Sequence, residues 1–232
     1  VTTSTGTIDI VFDAPTNSSY SDYFNITLWD GQNIIAAQAT GKDTSFSAGV
    51  EAGTYYVYVD KSTFHNDEEY ILTATSAAGD TSGVETEDNG EFTTADTLTS
   101  GNPIKGQLSS DTDRHVYSIV TTSTGTNNID FDSPISSSAD YFNIMLWDGN
   151  NIIASQSTGR DTNFSAGVEA GTYYIYVDKS TYHNDEEYVL TATSTAGDIS
   201  GVETEDNGDA ASADTLTSGN PIKGQLSNST DV

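Results

Sequence analysis

The chain has 232 residues, enough for two sandwich-sized domains of about 100 residues each. Seven basic residues against 35 acidic ones leave a formal charge of −28, which repels nucleic acid and anionic membrane surfaces and makes cations the natural partners. There is no cysteine to form a disulfide, and no apolar run approaches the 18 or so residues that span a bilayer, so membrane insertion is not expected.

Thr, Ser, Gly, Asn and Asp, with the β-favouring Tyr, Val and Ile, point to strands and turns. Val1 to Gly6 recurs as Val120 to Gly125, and Asp22 to Gly90 recurs with few changes from Asp140 to Gly208. Glu203 to Asp231 then repeats Glu85 to Asp113. A fixed internal period of this kind marks a repeat architecture. The expected organisation is therefore 1–80 as a first β-sandwich without its upstream linker and first strands, 81–202 as a complete second copy, and 203–232 as the linker and first strand of a following one. Val1 does not open a leader, so the chain is expected to come from a longer protein.

Within the unit, Phe24, Ile26 and Leu28 form one face of a period-2 strand, with Tyr23, Asn25, Thr27 and Trp29 opposite. Asp30-Gly31 marks a hairpin turn, Ile34-Ile35 starts the return strand, Tyr55 to Val59 alternates again, and Tyr70 to Thr75 closes the set. Helical periodicity is absent, apart from a short turn expected at Thr93 to Leu98. The fold class is all-β: tandem β-sandwich, jelly-roll-like domains joined by an acidic linker. That linker, Ala77 to Gln107, carries Asp80, Glu85, Glu87, Asp88, Glu91 and Asp96. Asn17, Asn25, Asn163 and Asn228 open Asn-x-Ser/Thr sequons, which suit an exported surface.

Glu85-Thr-Glu87-Asp-Asn89, followed by Ala95, Leu98, Gly101, Gly106-Gln-Leu108, Asp111-Thr-Asp113 and Tyr117, resembles the bacterial pre-peptidase C-terminal domain family. The WDG turns at Trp29 and Trp147, and the AGTYY motifs at Ala52 to Tyr56 and Ala170 to Tyr174, extend the resemblance over nearly the whole repeat. It implies a β-sandwich appended to secreted proteins, related to the calcium-dependent collagen-binding domains of clostridial collagenases. It also implies calcium ligands at Glu85, Glu87, Asn89, Asp111 and Asp113, and in the next copy at Glu203, Glu205, Asn207 and Asp231. Ser229 stands where the first copy of the motif has Asp111, which weakens the second set, and Asp88 and Asp206 stand where a proline is common. The chemistry agrees, because calcium takes six to eight hard oxygens and two Glu, one Asn and two Asp can supply them. Alternate residues of an extended Glu-x-Glu also project to one side.

Other constellations carry less. His65 to Glu69 and His183 to Glu187 read as exposed acidic loops between strands, with too few His for zinc. No nucleophile-elbow or triad signature surrounds any Ser, so catalysis is not expected. Tyr23, Trp29, Tyr56 and Tyr58, with Tyr141, Trp147, Tyr174 and Tyr176, alternate against the core positions and form a candidate ligand face for extracellular polysaccharide or fibrous protein. Packing under loops or against a neighbouring repeat is the bland alternative. The expected function is a non-catalytic, calcium-binding tandem repeat of a large secreted, surface or filament-forming protein. It would be structural or adhesive, and able to assemble head to tail with copies of itself by strand complementation. The runner-up is a polysaccharide- or collagen-targeting module of a secreted hydrolase.

Overall fold

The computed structural model describes residues 1–18, 21–205 and 207–227. Among the described residues the regular structure is entirely strand, and no helix is long and apolar enough to cross a membrane. Six strands come from the first copy: β1 (Gly6–Asp13), β2 (Phe24–Trp29), β3 (Ile34–Thr40), β4 (Thr44–Val50), β5 (Tyr56–Lys61) and β6 (Ile71–Ala78). They form two three-stranded sheets, ordered β4-β1-β6 and β3-β2-β5. Ile8, Ile10 and Phe12 of β1 meet Phe24, Ile26 and Leu28 of β2 in a shared core, so the two sheets make a β-sandwich.

The second copy builds the same two layers and extends both. Its strands are β7 (Asp96–Thr97), β8 (Pro103–Gly106), β9 (Arg114–Thr121), β10 (Gly125–Asp132), β11 (Ser137–Trp147), β12 (Ile152–Gly159), β13 (Thr162–Val168), β14 (Gly171–Lys179) and β15 (Tyr188–Ala196). Its sheets run β13-β10-β15-β8 and β12-β11-β14-β9-β7. The period-2 faces read from sequence hold: Phe142, Ile144 and Leu146 of β11 are buried as their counterparts in β2 are. The expected turns hold as well. Gly31 and Gly149 take φ of +104° and +103°, which glycine adopts without strain, while Asp30 Oδ1 accepts from the N–H groups of Gln32 (2.6 Å) and Asn33 (2.7 Å).

The added strands decide how well each core is covered. β8 pairs with β15 and β9 with β14, and Tyr188 is then 0% exposed, whereas its counterpart Tyr70, beside an edge that no such strand covers among the described residues, is 39% exposed. Leu98 and Leu108, at 6% and 0% exposure, complete the second core, while their counterparts Leu216 and Leu226 are 70% and 73% exposed.

The acidic linker is structured as backbone. Residues 83–86 lie between the two sandwiches: Gly49 N–H of β4 donates to Glu85 O (2.9 Å), Glu85 N–H to Lys105 O (2.9 Å), and Lys105 N–H of β8 to Gly83 O (3.0 Å). The next linker repeats this pattern, with Gly167 donating to Glu203 O (3.0 Å) and Glu203 to Lys223 O (2.8 Å). A Cβ at Gly49 would stand 2.7 Å from Glu85 O, so this close approach needs glycine.

The loop His183 to Glu187 departs from the sequence reading of an exposed acidic loop. It is half-buried against the first sandwich, where Asp185 Oδ2 accepts from Ala39 N–H of β3 (2.7 Å) and Glu187 Oε2 from Ser47 N–H of β4 (3.1 Å). Lys42 pairs with Glu186 at 3.0 Å and Lys105 with Glu187 at 2.7 Å. These carboxylates cap edge-strand N–H groups that would otherwise need water. Sequence alone gives no reason to separate this loop from its exposed twin at His65 to Glu69.

Gly49→Ala is expected to detach the linker from β4 while leaving the second sandwich intact. Hydrogen exchange should then lose protection at the Gly49 amide, and the amides of β14 and β15 should keep theirs; unchanged exchange at residue 49 would show that the linker is held by other means.

Candidate metal centre

β9 places Asp113, just before it, and His115 and Tyr117 within it at alternating positions, so the three side chains point the same way. The linker passes across the end of this strand, with Asn89 O accepting from Val116 N–H (3.0 Å). Glu85, Glu87 and Asp113 are thereby gathered around the buried His115 ring, and Asn89, 0% exposed, stands beside the same strand.

Glu85, Asn89, Asp113 and His115 each have a polar atom fixed by a hydrogen bond or ion pair, and all but Glu85 have another left over. Asp113 Oδ2 accepts from the N–H and Oγ–H of Ser109, both at 2.7 Å, while Oδ1 lies 3.5 Å from His115 Nε2. Glu87 Oε1 lies 3.4 Å from the same nitrogen. Asn89 donates through Nδ2 to Asp96 Oδ2 (2.9 Å), and Asp96 also accepts from Thr86 N–H (2.9 Å) and Thr86 Oγ1–H (2.6 Å). Glu87 Oε1, Asn89 Oδ1 and His115 Nε2 are buried and make no hydrogen bond.

Glu85 is different because both of its oxygens are occupied. Oε1 accepts from Gln107 N–H (2.9 Å), and Oε2 meets His115 Nδ1 (2.5 Å) and the Tyr117 hydroxyl (3.3 Å). Tyr188 Oη lies 2.8 Å from both His115 Nδ1 and Tyr117 Oη. Gly106 leaves room for this packing, since a Cβ there would come within 2.6 Å of Glu85 Oε2 and of both tyrosines.

Burial raises the Glu85 carboxyl to about 7 despite the opposing pull of His115, and it raises Glu87 as well. Burial would lower His115, but the adjoining Glu85 carboxylate outweighs it and the ring is held well above the ordinary imidazole range. Asp113 stays low, because contacts to His115 and Ser109 offset its burial. Negative charge concentrated in a dry site and unpartnered acceptor atoms are the conditions under which a bound cation recovers the cost of desolvation. The donor set therefore fits a divalent metal ion: ligand-type atoms of Glu85, Glu87 and His115 lie within 4.8 Å of one another, and those of Glu87 and His115 include unpartnered ones.

Asp111 does not join its sequence partners. Its carboxylate is 66% exposed and faces Lys179 Nζ (3.2 Å) and His183 Nδ1 (4.0 Å), because the turn before β9 directs positions 111 and 113 apart. In the following linker, Asn207 donates to Glu203 Oε1 and Asp214 Oδ2, both at 3.2 Å, and Glu203 Oε2 accepts from Gln225 N–H. Glu205 is half-buried, and Asp231 lies outside the described residues.

The aromatic residues expected to share one face occupy separate places. Trp147, Tyr174 and Tyr176 are covered by Phe92, which stacks on Trp147 at 4.3 Å and 15° and meets Tyr174 and Tyr176 edge-on at 4.9 and 5.3 Å. Trp29, Tyr56 and Tyr58 form the matching group in the first copy, with Tyr56 49% and Tyr58 44% exposed. Tyr23 and Tyr141 pack elsewhere, beside Phe64 (6.0 Å) and Tyr182 (5.6 Å).

His115, Asp96, Tyr188 and Phe92 are the site residues that sequence reasoning missed. His115 carried a signal, since it follows Asp113 by two on a strand. Phe92 was also legible as a lone aromatic in an acidic linker, where the next linker has Ala210.

No protein-family model matches the chain, and no curated protein matches it. Among solved structures, a pre-peptidase C-terminal domain of a collagenase from Bacillus anthracis is similar at 23% identity and TM-score 0.37, covering 43% of this chain and 94% of that one. The CUB1-EGF-CUB2 domain of human MASP-1/3 is similar at 13% identity and TM-score 0.30, over 83% and 90% of the two chains. A CBM22 tandem of Paenibacillus barcinonensis Xyn10C is similar at 11% and 0.25, over 85% and 80%.

Phe92→Ala should uncover Trp147 and cost the second sandwich about 1 kcal/mol. In a Trp29→Phe background the remaining tryptophan should shift its emission to the red and become more quenchable by acrylamide; unaltered emission would mean that the stack does not persist in solution.

Proposed function

We propose that the chain is a non-catalytic, extracellular repeat module in which a divalent cation, calcium in the first instance, locks each linker to the sandwich that follows it. One observation carries this reading: buried polar atoms without hydrogen bonds, Glu87 Oε1 and His115 Nε2, lie 3.4 Å apart where the linker crosses β9, and Asn89 at that crossing has a third. The motif resemblance supports it. Of the ligands implied by sequence, Glu87, Asn89 and Asp113 keep an atom facing inward, while Asp111 pairs with Lys179 instead.

A bound cation would supply the positive charge that three adjacent carboxylates lack. What the chain's own residues then do is mechanical. Glu85 and Thr86 are backbone-bonded to β4 of one sandwich and sit beside β8 of the next, so fixing Glu85 and Glu87 fixes the angle between copies. The following linker, with Glu203, Glu205, Asn207 and Asp231, would repeat the device. A structural or adhesive role in a secreted, surface or filament-forming protein suits repeats stiffened in this way.

Two observations favour extensions of this reading. The open Trp29, Tyr56 and Tyr58 group is a stacking surface for polysaccharide or a fibrous protein such as collagen, as a targeting module of a secreted hydrolase would need. The exposed Leu216 and Leu226, whose counterparts fill the second core, fit the uncovered edge beside Tyr70 and Ile71, and so favour head-to-tail strand complementation between chains. A calcium-independent monomer in light scattering would remove the polymer.

Calcium titration calorimetry with melts before and after chelation tests the main claim. At a hundredfold excess over Kd the ion should stabilise the fold by about 2.7 kcal/mol, and Glu87→Gln should weaken binding at least tenfold. No heat of binding and no melting shift would overturn it.

A further inference from the structure

The arrangement of atoms around His115 says more than that a cation is held. We propose that His115 Nε2 is a direct metal ligand, that Glu85 is its positioning carboxylate rather than a ligand, and that the site therefore favours a first-row divalent ion of the zinc class over calcium. This rests on reading the cluster as a cation site, and it concerns which ion and which donors.

Tyr117 and Tyr188 hydroxyls lie 2.8 Å apart, and Tyr117 Oη–H donates to Glu85 Oε2 at 3.3 Å. Tyr188 Oη–H then donates to Tyr117 Oη, which leaves the Tyr188 oxygen free to accept from His115 Nδ1 at 2.8 Å. Glu85 Oε2 accepts from the same Nδ1–H. Both neighbours of Nδ1 therefore act as acceptors and hold a proton there, so Nε2 is the nitrogen a metal ion would take, displacing the proton it carries.

That nitrogen is 0% exposed, makes no hydrogen bond, and has Glu87 Oε1 at 3.4 Å and Asp113 Oδ1 at 3.5 Å. Ligand atoms about 2.0 to 2.1 Å from one tetrahedral ion stand near this separation from each other. Asn89 Oδ1, also buried and without a hydrogen bond on a residue whose backbone is bonded to Val116 of the same strand, is the candidate for a fourth donor. A carboxylate bonded to the far nitrogen of an imidazole is the usual support of a histidine that ligates zinc, and here Glu85 has no oxygen left to give. Calcium prefers six to eight hard oxygens, whereas this set offers three oxygens and a nitrogen, a combination that suits zinc, cobalt or manganese. The site differs in this from the all-oxygen set implied by the motif, since Glu85 steps back, Asp111 is absent and His115 enters.

The test titrates the full chain separately with zinc and calcium in a His65→Gln/His183→Gln background, which removes the other histidines. Zinc should bind at least tenfold more tightly than calcium, and His115→Gln should abolish that preference while leaving calcium affinity within about threefold. Cobalt should give d–d absorption bands whose shape changes in Glu87→Gln. In Glu85→Gln the shape should persist, with affinity reduced about tenfold to a hundredfold. Should His115→Gln fail to fold, ring nitrogen shifts of His115 in the otherwise unsubstituted chain settle the point: zinc should move Nε2 and leave Nδ1 protonated. Tighter calcium than zinc, or an Nε2 shift unmoved by zinc, would overturn the inference and leave the calcium reading standing. Absence of binding by either ion would overturn both.

Discussion

The short backbone segment around Glu85 is the constraint from which the rest follows. Its amide and carbonyl are bonded to Lys105 of β8 and Gly49 of β4, so it is an extra strand shared by two sandwiches. Its side chain, at the same time, is 2% exposed inside the second sandwich. A fully buried carboxylate costs several kcal/mol unless it is paired and hydrogen-bonded. His115, Gln107 and Tyr117 meet that requirement here. The inter-repeat joint and the polar core of the domain are thus one structure, and loosening either loosens the other.

The rest of the joint has the same logic. Asp185 and Glu187 reach back to the N–H groups of β3 and β4, edge strands that would otherwise invite pairing with other chains. With a chain so acidic, using carboxylates as edge caps also confines negative charge where backbone dipoles offset it. Lys42 and Lys105, two of only seven basic residues, are placed at this contact. Such partly exposed pairs contribute little individually. Their value lies in register, since each reaches a glutamate of one loop.

How much of this could be read from the chain follows from the range of the forces involved. Strand faces were legible because burial imposes period 2: Phe24, Ile26 and Leu28 announce their side of β2, and Asp30-Gly31 announces the turn. Glu87 and Asp113 were named through the motif resemblance, and both stand beside His115 Nε2. Asp111 was misread because a two-residue offset in a turn does not share the alternation of a strand. His183 to Glu187 was misread because its burial depends on a surface more than a hundred residues away in sequence, on β3 and β4. For the same reason the covering of the second aromatic group was not legible, since alternation identifies which way Trp147 points but not that Phe92 covers it.

The two copies form an internal comparison in which sequence is nearly constant and surroundings differ. Tyr70 and Tyr188 stack on equivalent phenylalanines, Phe12 at 5.1 Å and Phe131 at 5.1 Å, so their apolar contacts are alike. Only Tyr188 also reaches His115 and Tyr117 through its hydroxyl. The strands β8 and β9 therefore do more than cover an edge: they bring the polar partners that turn a surface tyrosine into part of the buried cluster around His115. A module built this way gains its site and its rigidity in the same step, when the linker and first strands close over the sandwich.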